Sequence, residues 1–172
     1  MKKHVRALSV ILTASLLAAG VQSVAAQPQP VAAVAQTKVS PEQAIATAQK
    51  QVGGQATDIK LKGKYGTPAY KVELHNGNQE HTLYIDATSG QVVGNKAETE
   101  WKPVRPTAIS LERAIQIAQG KVKGRVMEAE RDHNHGQVVY KVEILTADNV
   151  PHKVVVDANN GKVLVSYIDY DD

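Results

Sequence analysis

An internal repeat constrains the fold of this chain more than any other feature of its sequence. The four residues YKVE occur at 70–73 and again at 140–143, a spacing of 70. Self-similarity at a fixed offset indicates two copies of one structural unit, which we place at 39–95 and 109–168. Further identities at offset 70 are Ser40, Glu42, Ala44, Ile45, Ala48, Gln49, Val52 and Gly54, which recur at 110, 112, 114, 115, 118, 119, 122 and 124. At offset 71, His81, Asp86, Ala87, Gly90 and Val92 recur at 152, 157, 158, 161 and 163.

The N-terminal segment has the three parts of a secretory signal peptide. Lys2, Lys3 and Arg6 precede an apolar run at 7–21, and small residues precede an expected cleavage after Ala26. The apolar run is short for a membrane span, although an uncleaved N-terminal anchor is the alternative. We therefore predict a signal peptide at 1–26, a flexible leader at 27–38, and a product that is exported to the periplasm or medium without stable membrane insertion.

The charge balance and the lack of cysteine exclude several classes of function. The chain has 20 Lys and Arg residues and 17 Asp and Glu residues, and three of the basic residues belong to the predicted signal peptide. The remainder is close to neutral, so it has no electrostatic footprint for nucleic acid or an anionic membrane. Without cysteine there is no disulfide framework and no thiol nucleophile, so packing alone must hold the fold together.

Each repeat predicts a helix followed by antiparallel strands. Ser40 and Ser110 are suited to cap helices whose apolar residues recur at helical spacing. Gly53 and Gly54 in the first repeat, and Gly124 in the second, are predicted helix stops. Downstream, the YKVE segments alternate with a period of two, and the Asp-Ala-x-x-Gly segments predict tight turns. The predicted class is α+β, with two tandem repeats that each pack one helix on a three- to four-stranded sheet. A linker at 96–108 and an acidic tail at 169–172 flank the second repeat.

The order of helix, YKVE strand and D-A-x-x-G-x-V turn resembles the PepSY domain, in two tandem copies. The resemblance covers nearly the whole chain after the signal peptide. PepSY modules are similar to parts of the propeptides of thermolysin-type metallopeptidases and of a spore germination protein. The resemblance implies a helix on an antiparallel sheet, and a role in inhibiting a peptidase or restraining local proteolysis.

Candidate binding residues follow from the strand pattern and from the repeat. Tyr84 is expected to point outward from the core, and Tyr70 is a second aromatic candidate. His81 and His152 recur between the repeats on the face that should meet the helix, where they either close the core or form a pH-dependent contact. All four are candidate contacts for a protein partner such as a peptidase.

No enzymatic signature is present, and we predict no catalytic residue, no metal and no cofactor. The sequence lacks HExxH, GxSxG and a phosphate-binding glycine loop. His133 and His135 are two potential ligands where a structural metal site needs about four, so a solvated hairpin is favoured there. The expected function is an exported, non-enzymatic protein that binds and regulates a peptidase or another envelope protein. The alternative is an envelope sensor or carrier of a small ligand or metal ion, built on the histidine-bearing faces.

Overall fold

Two helices lie on one eight-stranded antiparallel sheet in the computed structural model, which describes residues 37–64, 67–99 and 104–170. The predicted signal peptide and most of the leader lie outside these residues. Within them, no helix combines the length and the apolar character needed to cross a membrane. The elements are α1 (Pro41–Val52), β1 (Gln55–Lys64), β2 (Thr67–Asn76), β3 (Gln79–Asp86), β4 (Val92–Thr99), α2 (Leu111–Lys121), β5 (Arg125–Asn134), β6 (Gln137–Leu145), β7 (Pro151–Asp157) and β8 (Val163–Ile168).

Side-chain capping starts both helices, as the sequence predicts. The Ser40 hydroxyl accepts from the Gln43 N–H, and the Gln43 side chain accepts from the Ser40 N–H at 2.9 Å. Ser110 accepts from the Arg113 N–H, without the reciprocal bond. Each cap satisfies amide donors that would otherwise lack a partner in the first turn.

The predicted role of Gly124 as a helix stop is wrong. The second helix ends at Lys121, and its C-cap is Val122 in an extended conformation. A Cβ on Gly124 would lie 2.3 Å from the carbonyl oxygen of Leu145. Gly54 makes the same approach to the His75 carbonyl oxygen, at 2.4 Å. The repeated glycine is therefore required because the backbone of the next strand passes close to it.

The core lies between the helices and one face of the sheet, which we call the helix face. Alternate strand residues such as Val72, Leu74, Val142 and Ile144 are fully buried there, because the side-chain period of a strand is two. Residues of both helices belong to this one hydrophobic core. The opposite face, which we call the open face, carries the intervening charged side chains.

The sheet is continuous across the two repeats, which differs from the expectation of a separate sheet for each. Its order is β4-β3-β2-β1-β5-β6-β7-β8. The two halves meet where β1 pairs with β5 through Asp58–Glu130, Ile59–Ala129 and Lys60–Glu128, and we call this junction the seam. Ile59 and Ala129 are at equivalent positions of the two repeats. Pairing these edges satisfies backbone groups that would otherwise form an exposed edge in each repeat, so the α+β class is confirmed but as one sheet.

Two reciprocal side-chain contacts reinforce the seam. Gln55 Nε2 donates to Thr107 Oγ1 at 2.9 Å, so the first strand of one repeat is bonded to the segment before the helix of the other. At the equivalent positions, Arg125 Nη1 donates to Thr37 Oγ1 at 2.7 Å. The four residues form a two-fold pattern at an offset of 70, which we call the clasp. It makes each repeat a structural support for the other.

The repeated Asp-Ala-x-x-Gly segments form turns, as predicted. Asp86 Oδ1 accepts from the N–H groups of Thr88 and Ser89 at 3.0 and 2.7 Å. Asp157 Oδ1 accepts from the Asn159 N–H at 2.7 Å. The hydrogen bonds from Ser89 and Thr88 lower the pKa of Asp86. The Asp86 carboxylate therefore acts as an ionised turn acceptor, and Asp157 accepts at the same place in the second repeat.

We expect Val142→Ala to destabilise the protein by about 1 to 3 kcal/mol, because the side chain is fully buried. Val72→Ala is the matched substitution in the first repeat, at an equally buried site. We expect its cost to be smaller, because the second repeat is richer in β-branched strand residues. Chemical denaturation of both variants tests whether the second repeat contributes more to stability than the first. Equal losses of stability would show that the two repeats contribute equally.

Candidate binding surfaces

Tyr84 is an exposed aromatic residue of the first repeat, as its outward position in the strand predicts. It lies on β3, on the open face, with Lys71 of β2 and Gly94 of β4 as its register partners. Its exposed fraction is 41%. The ring rests over Gly94, where a Cβ would come within 3.2 Å of Tyr84 Cδ2. Glycine thus allows the ring to lie against the neighbouring strand with one side turned to solvent.

Tyr70 is a core residue, which corrects its selection as a candidate contact. It is only 3% exposed, and its hydroxyl donates to the Val39 carbonyl at 3.0 Å. Tyr140 repeats the arrangement with Ile109, also at 3.0 Å. Both hydroxyl groups tie the segment before a helix to the second strand of the same repeat. The recurrence of tyrosine at this position is therefore explained by the fold, and Tyr70 offers no surface to a partner.

The two repeated histidines are far apart. His81 pairs with Leu74 and His152 with Ile144, so both lie on the helix face and are partly buried. His81 Nδ1 is buried without a hydrogen-bond partner. Four strands separate β3 from β7, which places the two rings roughly 24 Å apart at the usual strand spacing. They do not form one site, which removes the arrangement on which the sensor or carrier alternative depended.

His133 and His135 lie at an exposed hairpin between β5 and β6. His135 has φ 49 and Gly136 has φ 82, the pair of positive values that a type I′ turn requires. Both histidines are exposed to solvent. Their position follows from turn geometry, as the solvated-hairpin interpretation expected.

An acidic cluster at the seam was not singled out by the sequence. Carboxylate oxygens of Asp58, Glu128 and Glu130 lie within 4.8 Å of one another. Glu73 faces Asp58 from β2, so Asp58 has a carboxylate on each side. Each residue sits at an ordinary outward position of its strand. Pairing of β1 with β5 brings them together, and no local pattern records that pairing.

The lysines near this cluster neutralise only one of its three carboxylates. Lys60 pairs with Glu128, Lys71 with Glu73, and Lys141 with Asp132. Burial, then repulsion by Glu73 and by Glu128, raises the pKa of Asp58 from 3.8 to about 7. The fold therefore opposes ionisation of the Asp58 carboxyl group.

Comparison with known proteins places both repeats in one family. The family model named peptidase propeptide and YPEB domain, PepSY, matches residues 38–96 and 108–166. The Bacillus subtilis protein YkoJ is 27% identical over 128 residues, which cover 74% of each chain.

Three solved structures are similar to parts of this chain. A candidate lipoprotein of Clostridium difficile 630 is 23% identical with a TM-score of 0.48, covering 77% of this chain and 95% of that one. YpmB of Bacillus subtilis is 16% identical with a TM-score of 0.35, covering 75% and 97%. The C-terminal domain of Bacillus megaterium YpeB is 14% identical with a TM-score of 0.32, covering 77% and 66%. Because the family model matches both repeats, the chain belongs to the PepSY family and contains two tandem copies of its domain.

Proposed function

We propose that this PepSY protein is exported and binds another protein outside the cytoplasm, where it regulates a secreted peptidase or another envelope component. The family description, peptidase propeptide and YPEB domain, associates such domains with peptidases. The signal-peptide pattern at 1–26 supports export. The proposed role is non-enzymatic, because the repeated aspartates that could have served as catalytic acids are instead acceptors in turns.

The exposure of Tyr84 on the open face carries this proposal. Tyrosine combines a large apolar area with a polar hydroxyl, and it is enriched among residues that dominate binding energy. Tyr84 is held in place by the sheet and by the contact with Gly94, so its binding costs little side-chain entropy. Lys71 beside it is already paired with Glu73, which leaves a polar but locally neutral rim. Such a surface suits a folded protein better than an anionic polymer.

We expect Tyr84→Ala to weaken binding of the partner by about tenfold or more, as for a moderate interface hot spot. The partner is first recovered by passing the cell-envelope fraction over the immobilised wild-type protein, and its affinity for each variant is then measured by calorimetry. Tyr84→Phe keeps the ring and separates its contribution from that of the hydroxyl. Thermal unfolding of each variant distinguishes lost binding from lost folding.

Tyr170→Ala is the matched control, because Tyr170 is 79% exposed and lies beyond the last strand. We expect it to bind the partner like wild type. Equal affinity of wild type and Tyr84→Ala would refute a contact through Tyr84. If the recovered partner is a peptidase, its hydrolysis of a peptide substrate should fall as wild-type protein is added, and less so with Tyr84→Ala.

A further inference from the structure

The last strand, β8, forms an apolar edge of the sheet. Val165, Tyr167 and Ile168 are exposed by 46%, 44% and 40%, and Leu164 by 42%. The other edge strand, β4, also exposes Val93, but it carries an ion pair between Lys96 and Glu98. Charges of this kind protect a sheet edge from pairing with another strand, whereas an apolar edge invites it.

The backbone of β8 directs hydrogen-bonding groups away from the sheet at known positions. The Asp169 N–H donates to the Pro151 carbonyl at 2.9 Å, so this residue points towards β7. Hydrogen-bonding direction alternates along an antiparallel strand. The register pairs Tyr167 with Lys153 and Val165 with Val155, which therefore also point towards β7. The N–H and C=O groups of Ser166 and Ile168 then point outward, where a further strand can pair with them.

We propose that two copies of the protein associate through antiparallel pairing of β8 with β8, around a two-fold axis at Ser166. The register places Ser166 opposite its copy and Val165 opposite Tyr167. It also brings Ile168 opposite Leu164, which lies at the β-bulge of β8 between Val163 and Val165. Exposed apolar residues thus meet exposed apolar residues along the strand. Beyond the strand, Lys162 lies opposite Tyr170 of the other chain and one residue from its Asp169, which has the opposite charge.

A second copy fits this edge because the edge is self-complementary. A two-fold contact requires one surface patch to match itself, and the register around Ser166 does so in both apolar content and charge. The seam provides an internal precedent, since it joins two copies of the same unit edge to edge in antiparallel fashion. The dimer would extend the sheet from eight to about sixteen strands. It uses a different surface from Tyr84 and is independent of the proposed function.

Opposite charges placed at Ser166 provide a sharp test. Ser166→Lys and Ser166→Glu each set like charges opposite one another across the two-fold axis. We expect light scattering of the wild-type protein to show its molar mass doubling as concentration rises from about 10 µM to 1 mM. Each variant alone should keep the monomer mass over this range. An equimolar mixture of the two variants should recover the doubled mass, because Lys and Glu then face each other.

Asn95→Lys places the same charge on the other edge strand, where we expect wild-type association. Circular dichroism and thermal unfolding show whether each variant is folded, and recovery in the mixture is possible only for folded chains. A monomeric wild-type protein at the highest concentration would overturn the proposal. So would a dimer that persists in both Ser166 variants, or a strand of another protein on β8 while the wild-type chain alone stays monomeric.

Discussion

Residues 37–99 expressed alone are expected to lose the cooperative thermal unfolding of the full chain. Separation exposes the edge of β1 and uncovers Ile59, which is 1% exposed at the seam. It also removes Thr107, the acceptor of Gln55, and leaves a unit of about 60 residues with a small core. We expect at least a much lower and broader transition, measured by calorimetry and far-UV circular dichroism.

Cleavage of the connection between the repeats is the matched control. A protease site placed between Thr99 and Val104 can be cut after the full chain has folded. We expect the two fragments to stay together and to melt cooperatively, because the residues of the seam and the clasp all lie on either side of the cut. Mutual support between the repeats would be wrong if residues 37–99 alone melted as sharply and as high as the intact protein.

Local features of the fold could be predicted because their causes are local. Ser40 and Gln43 form a capping box within a single helical turn. Asp86 accepts from the N–H groups two and three residues away. The YKVE strands alternate because the period of a strand acts on neighbouring residues. Each of these patterns can be recognised without knowing where the rest of the chain lies.

The seam could not be predicted in the same way. Ile59 and Ala129 are ordinary inward positions of two strands that are about seventy residues apart in sequence, and either strand could have been an edge. The pairing depends on the contact of whole repeats. One signal was available in Thr37 and Gln55, whose equivalents Thr107 and Arg125 occur at the same offset although one pair differs in residue type. Polar residues kept at matching places outside the core suggest a contact between the copies.

The candidate surfaces follow the same division between local and distant causes. The exposure of Tyr84 follows from its alternation with Leu83 and Ile85, which are fully buried. Tyr70 was a poor candidate because repetition of a tyrosine at both YKVE strands indicates a shared structural role, here a hydrogen bond to a backbone carbonyl. The proximity of Asp58 to Glu130 could not be predicted, because it depends on the pairing of β1 with β5 at the seam.

The acidic cluster has a consequence for stability because Asp58 is opposed by carboxylates on both neighbouring strands. Glu73 faces it from β2 and Glu130 from β5, with Glu128 nearby. The cations of these strands only partly compensate, since Lys71 is bonded to Glu73 and Lys60 to Glu128. A protonated Asp58 relieves the repulsion, and the neutral form is therefore favoured when the seam is closed.

Stability should consequently fall as the pH rises towards and through neutrality. The pKa of Asp58 is raised from 3.8 to about 7 in the folded state, so below 3.8 the carboxyl is protonated in both states and carries no penalty. Between these values the unfolded chain ionises first, which favours unfolding progressively. Above the folded pKa the penalty is complete. A shift of this size corresponds to about 4 kcal/mol, and partial contact with solvent makes about 2 to 4 kcal/mol the expected range.

Asp58→Asn should therefore raise the free energy of unfolding by about 2 to 4 kcal/mol at alkaline pH, with little effect at acid pH. The measurement is chemical denaturation of wild type and variant across the pH range, with the difference between the two proteins compared at each pH. Asp132→Asn is the matched control on the same face, because the hydrogen bond from Lys141 lowers the pKa of Asp132. Its effect should have the opposite sign, a loss of stability that appears as the pH rises above the range in which Asp132 ionises. A difference between wild type and Asp58→Asn that stays constant with pH would contradict the electrostatic account of the seam.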